Sequence, residues 1–150
     1  MNSIIGALAA AALTIGYGVI ISPSALLGGL PIIAALFLGV FLIQWLGFAV
    51  AWLLRTERYY DLTGSLTYIT VVGLAWFMAG DPAPGAELLF IAVSLWAVRL
   101  GSFLFLRVIE VGEDQRFRHI KVSAPRFFMA WTLQGMWVSF TVSAVLVALL

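Results

Sequence analysis

Residues 94–103 read SLWAVRLGSF and place an arginine, Arg99, in the middle of a run otherwise oily enough to cross a bilayer. An ionised guanidinium at the hydrocarbon centre costs about 2.5 to 3.5 kcal/mol on insertion scales. The surrounding chain decides whether that reading stands. Of its 150 residues 63% are hydrophobic and 10% charged, and its mean hydropathy is +1.10. A chain of this size has no water-soluble core large enough to hide so much apolar surface. The composition implies a membrane protein.

A membrane-spanning helix takes about 20 largely apolar residues, and five such runs follow one another. The first covers residues 4–21 and ends at SPS, residues 22–24. The second covers residues 26–54, holds no charge, has Pro31 near its start and stops at RTERYYD. The third, residues 62–79, is closed by the turn-rich GDPAPG. The fourth, residues 88–109, contains Arg99. The fifth, residues 127–150, follows the polar stretch EVGEDQRFRHIKVSAPR. The expected fold is an all-α polytopic membrane helix bundle of about five transmembrane helices, one domain over residues 1–150. The first run lacks the basic start of a signal peptide. Zero cysteines exclude disulfides, thiol nucleophiles and thiolate metal sites. His119 has no companion at ligand spacing, so no metal is expected, and nothing points to nucleic acid.

Charge gives the orientation. The connectors after the first and third runs carry Asp81 and Glu87 but no Lys or Arg. Those after the second and fourth, with the adjoining helix ends, carry Arg55, Arg58, Arg107, Arg116, Arg118, Lys121 and Arg126. The positive-inside rule assigns these basic connectors to the cytoplasm, with the amino terminus, in what is expected to be a bacterial inner membrane. Contact with anionic lipid headgroups is the plainer role for the outer members of this set.

Arg99 then lies roughly 15 Å in from the cytoplasmic end of its helix, at 1.5 Å per residue. Asp61, Gly64, Ser65 and Tyr68 share one face of the third helix by their i, i+3, i+4, i+7 spacing, as Arg99, Ser102, Phe103 and Arg107 do on the fourth at i, i+3, i+4 and i+8. Gln134 lies at a similar depth on the fifth. The inference is a hydrated pocket, open to the cytoplasm, in which Arg99 is balanced by Asp61, backbone carbonyls or an anionic ligand. A buried ion pair that fixes helix register is the alternative. Gly135 with Ser139 and Ser143, Ala12 with Gly16, and Gly47 with Ala51 form small-residue stripes that read as helix-packing faces, and uncovered ones make self-association or a partner helix plausible. Trp45, Trp52, Trp76, Trp131 and Trp137 read as belt and packing residues.

ERYYDLTGSLTY at residues 57–68, RLGSFLFLRV at 99–108, DQRFRHIK at 114–121 and FFMAWTLQGMWV at 127–138 together resemble the amino-terminal half of bacterial membrane proteins related to steroid 5-alpha-reductases. The resemblance covers about residues 40 to 140. It implies an enzyme that reduces an activated carbon–carbon double bond of a steroid, isoprenoid or fatty substrate, with hydride from NADPH in a cytoplasm-facing cavity. Asp61 matches a carboxylate close to the nicotinamide and the substrate carbonyl, where relatives carry a Gln-Glu pair and this chain has Tyr60 and Asp61. Arg99 matches an arginine of the following helix. Arg107, Arg116 and Arg118 are the nearest candidates for cofactor phosphates, and Gln134 sits in a matching tripeptide. The expected catalytic set is Asp61, Tyr60 and Tyr68, with a tyrosine hydroxyl or protonated carboxyl stabilising negative charge on the carbonyl oxygen. Asp61 is expected first as the counter-ion of Arg99 and second as a proton donor. The resemblance also implies a carboxy-terminal Arg, His, Pro, Asn, Tyr segment and further helices, which would follow position 150 and make this chain the amino-terminal part, or a shortened form, of a longer fold. The alternative is a noncatalytic membrane protein or subunit that binds lipid or a partner helix; a membrane methyltransferase of related architecture is a weaker third.

Overall fold

The structure is a computed structural model that describes residues 2–80, 82 and 84–150. Asp81, expected in an acidic connector, lies outside the described residues. Helix α1 is Asn2–Ile21, α2 Ile32–Leu53, α3 Tyr60–Met78, α4 Ala86–Val111 and α5 Ala124–Leu149. Four of these, α1, α2, α4 and α5, are long and apolar enough to cross a membrane. The remaining helix, α3, has 19 residues and so extends about 28 Å at 1.5 Å per residue, close to the hydrocarbon thickness. It carries Asp61, Thr63, Ser65, Thr67, Tyr68 and Thr70 among its apolar residues. The all-α bundle is therefore as expected, and the chain is an integral membrane protein by the length and composition of its helices.

The second helix starts later than the expected residue 26. Leu26–Leu27 (β1) and Leu30–Pro31 (β2) pair antiparallel instead. Gly28 and Gly29 between them take φ of 58° and 83°, a left-handed pair that glycine adopts without steric cost and that closes a tight hairpin. Pro31 caps α2 with φ −53° and ψ 132°. The Ser22 hydroxyl reaches across the hairpin to accept from the Ile33 amide at 3.0 Å, which satisfies one of the donors that a helix start leaves open.

Helix α5 is the centre of the bundle and packs on α1, α2 and α3, while α4 leans on α3 and touches α5 little. Lipid tails supply no hydrophobic drive between helices, so close packing and interhelical hydrogen bonds hold the bundle. Gln44 Nε2 donates to Thr67 Oγ1 at 2.9 Å, and Trp45 Nε1 donates to Thr132 Oγ1 at 3.1 Å. Gly47 admits the wholly buried ring of Trp131, since a Cβ there would stand 2.4 Å from it. Gly135, Ser139 and Ser143 are buried as the stripe predicts. Ala12 and Gly16 are not: both are exposed, and α1 buries Ala7, Ala11, Thr14 and Gly18 instead.

The two basic connectors do share one end of the bundle. Glu57, from the connector after α2, accepts from the Asp114 amide at 3.0 Å and from Lys121 Nζ at 2.8 Å, and Arg58 Nη2 donates to the Gly112 carbonyl at 3.2 Å. Glu57 is buried and ties the two connectors together.

Candidate functional site

Helices α3, α4 and α5 enclose a cleft of about 420 Å³. Asp61, Gly64, Ser65 and Tyr68 of α3 form its floor, as their spacing predicts, with Tyr60 beside them. Gln134 and Trp137 come from α5, and Trp96, Leu100 and Leu104 from α4. The walls are close because small residues permit it. A Cβ on Gly64 would stand 2.5 Å from Gln134 Nε2, and one on Gly101 would stand 2.6 Å from the Ser65 side chain.

Tyr60, Tyr68 and the Gln134 amide nitrogen each have a determined place in the cleft. Tyr60 donates its hydroxyl to the Ala130 carbonyl at 2.9 Å, and Gln134 Nε2 donates to the Tyr60 carbonyl at 3.2 Å. Tyr68 bonds to the Thr141 hydroxyl. Because Thr141 itself donates to the Trp137 carbonyl at 2.8 Å, the proton between the two hydroxyls belongs to Tyr68. Trp96 sets its ring edge-to-face against Tyr68, with centroids 5.1 Å apart. One acceptor is left over: Gln134 Oε1 is buried and has no partner among the described residues. A buried polar atom without a hydrogen bond is costly, so this oxygen calls for a donor.

The expected pairing of Asp61 with Arg99 is overturned. Asp61 Oδ2 lies 2.9 Å from Arg116 Nη2. Arg116 stands in a 3-10 turn, Gln115–Phe117, at the mouth of the cleft, and its Nε also donates to Asp114 at 2.9 and 3.0 Å. Arg99 is exposed on the outer side of α4, with no ion pair or hydrogen bond among the described residues. It lines a separate recess of about 390 Å³ with Trp96, Leu100 and Phe103, which adjoins the cleft through Trp96 and Leu100. Helical spacing correctly groups Arg99, Ser102, Phe103 and Arg107, all of them exposed. It does not say which way the group turns, and here it turns outward because α4 buries Ala86, Ala97, Gly101 and Val108.

The remaining candidates fall in different places. Arg107 is exposed and, with Glu113, Asp114 and Arg116, lines a recess of about 280 Å³ at the polar end of α4. Arg118 pairs with Glu113 and lines neither recess nor cleft. The hydrogen bond from Arg116 holds the Asp114 carboxyl below the usual aspartate range, and Asp114 and Asp61 together hold the Arg116 guanidinium above its own. The hydrogen bond from Arg118 likewise lowers Glu113.

Two features escaped sequence reasoning. Trp96 walls the cleft, although a tryptophan in mid-helix carries no signal of that in isolation. Glu57 organises the polar end, and its burial beside a lysine 64 residues away has no local signature. Among the described residues no group of three or more metal-ligating side chains occurs.

The described residues do not by themselves make a dinucleotide site. The mouth recess sets Arg107 and Arg116 against Glu113 and Asp114, so it offers little net positive charge to a pyrophosphate, and Arg116 already serves two carboxylates. Arg99 and Arg107 make no ion pair among the described residues, but they lie on an open helix face.

Comparison with curated proteins and with solved structures gave no match. A protein family does match, and its span, residues 47–150, takes in α3, α4, α5 and the whole cleft. The chain belongs to that family, described as Protein of unknown function (DUF1295).

Proposed function

We propose that the α3–α4–α5 cleft takes the oxygen-bearing end of a lipid-like molecule, and that the chain supplies the substrate side of a membrane reductase acting on a double bond next to a carbonyl. The observation that carries the binding reading is Gln134 Oε1, an unpartnered acceptor suited to a hydroxyl donor on the ligand rather than to its carbonyl, on a residue of the cleft walled by Trp96, Leu100, Leu104 and Trp137. Apolar walls with a few convergent polar groups are the usual make-up of a small-molecule site. The reductase reading rests on the resemblance to steroid 5-alpha-reductase relatives carried by residues 57–68, 99–108, 114–121 and 127–138.

In this reading Tyr68 is the group that can turn its hydroxyl from Thr141 toward a carbonyl oxygen, and Asp61 with Arg116 sets the charge at the cleft mouth. Stabilising the developing oxyanion by a pre-placed donor is where such a site gains rate. NADPH remains the hydride source that the resemblance implies. The outward face of Arg99, Ser102 and Arg107 is then one wall of its site, and closing that site takes a surface that these residues do not provide. The basic connectors face the cytoplasm of a bacterial inner membrane, by the positive-inside rule.

Native membranes, in which the chain keeps whatever surface completes the cofactor site, test this by mass spectrometry when supplied with NADPH and an enone lipid. The reading expects the product to gain two hydrogens and to vanish with Tyr68→Phe. Binding of the lipid without conversion, at equal strength for an enone and its saturated analogue, favours the second reading, a noncatalytic lipid-binding protein. The commitment of Arg116 to Asp61 and Asp114 is the observation on that side.

A further inference from the structure

A second recess lies at the same end of the bundle, away from the cleft. It measures about 290 Å³ and is lined by Leu54, Arg55, Thr56, Glu57, Arg58, Gly112 and Lys121. Three cations face one carboxylate there, and that carboxylate, Glu57, is already occupied by Lys121 Nζ and the Asp114 amide. The recess at the cleft mouth has equal numbers of each sign. The excess positive charge at this end therefore gathers around Arg55 and Arg58.

The backbone singles out Arg55. Helix α2 ends with the Thr56 amide bonded to the Ala51 carbonyl at 3.0 Å and the Arg55 amide bonded to the Trp52 carbonyl at 3.3 Å, the paired bonds of a Schellman closure. That closure puts the residue after the cap in the left-handed region, and Arg55 has φ 54°. Glycine is the residue that fits there without strain, and among the described residues Arg55 is the one non-glycine residue with positive φ. The strained arginine is held by its stack on Trp52, with the guanidinium carbon 4.4 Å from the ring centroid.

Just below these cations, Leu53 and Leu54 are 79% and 61% exposed. A ligand reaching Arg55 from the membrane would thus lay apolar chains along the end of α2 and set a negative head on the guanidinium groups. From this arrangement we infer that the Arg55–Arg58–Lys121 recess binds the phosphodiester headgroup of an anionic phospholipid. The exposed leucines favour an amphiphile over free phosphate, which shares only the anionic group. The site shares no lining residue with the cleft, so it stands apart from the proposed reductase reading.

The test purifies the full chain in mixed phosphatidylglycerol and phosphatidylcholine micelles and measures the ratio of the two lipids retained. Wild type should enrich phosphatidylglycerol. Arg55→Gly should lower the enrichment about fivefold, the scale expected for one basic residue at an anionic surface, with the Tm unchanged or raised because glycine suits that φ. Arg55→Lys, which keeps the charge, should retain most of the enrichment. An equal loss in Arg126→Gln, an exposed cation outside the recess, would reduce the effect to general surface charge and overturn the site. Displacement of phosphatidylglycerol by inorganic phosphate, but not by sodium chloride of the same ionic strength, would overturn the lipid assignment.

Discussion

Asp61 on α3 is joined to Arg116 of the connector after α4 across 2.9 Å, and this pair sits at the mouth of the cleft with Asp114 as its third member. The membrane-embedded floor is thereby linked to the polar end of the bundle, and the charge of Asp61 is balanced from the water side rather than from mid-membrane.

This triad makes acid stability depend on Asp114. Its carboxyl titrates below the usual aspartate range because Arg116 donates to it. A depressed carboxyl contributes stability above its unfolded pKa, near 3.9, and that contribution is lost as pH falls through the lower folded value. The Tm of the detergent-purified chain should decline as pH falls below about 4, and the decline should be shallower in Asp114→Asn. Superimposable acid limbs in the two proteins would contradict this.

Glu57→Ala should destabilise the polar end. It leaves the Asp114 amide and Lys121 without their shared acceptor; an unsatisfied buried group costs about 1–3 kcal/mol, and the partial exposure of Lys121 favours the lower part. Unfolding by sodium dodecyl sulfate in mixed micelles measures it, with an unchanged midpoint as the contrary result.

Gly101→Ala should force α3 and α4 apart, since its Cβ would meet Ser65 at 2.6 Å. Overpacking of this kind costs about 1–3 kcal/mol. Adding Ser65→Gly should recover most of the loss, and a double-mutant cycle reads the coupling. Additive effects would mean that the two helices do not touch there.

Arg99→Leu should leave the Tm of the bundle unchanged or raised, because Arg99 has no partner among the described residues, and should favour insertion of the α4 segment by about 2.5–3.5 kcal/mol. A glycosylation-reporter insertion assay and thermal unfolding measure the two. A sharp fall in Tm would restore the expected ion-pair role.

These outcomes separate what the sequence carried from what it did not. Helical spacing placed Asp61, Gly64, Ser65 and Tyr68 on one face, and that face is the cleft floor, because a helix fixes which residues stand together. The same rule grouped Arg99 with Arg107 but left their direction open, since that depends on where Ala97 and Gly101 find a neighbour. Arg116 read as a topology charge or, by the resemblance, as a holder of cofactor phosphate. Its partnership with Asp61 spans 55 residues and follows only once the connector after α4 folds back over the bundle. The glycine pair at residues 28 and 29 carried a readable turn signal, and the apolar residues on either side hid it within one long run.

The most direct measurement compares two ligands on two proteins: a lipid bearing a hydroxyl that can donate to Gln134 Oε1 and its analogue without that hydroxyl, each titrated into wild type and Gln134→Leu. The account predicts that the substitution weakens the hydroxyl-bearing ligand about tenfold or more, the scale of one lost buried hydrogen bond, and leaves the analogue equal or tighter. Equal changes for both ligands, or none for either, would contradict the claim that the cleft reads the polar end of a lipid.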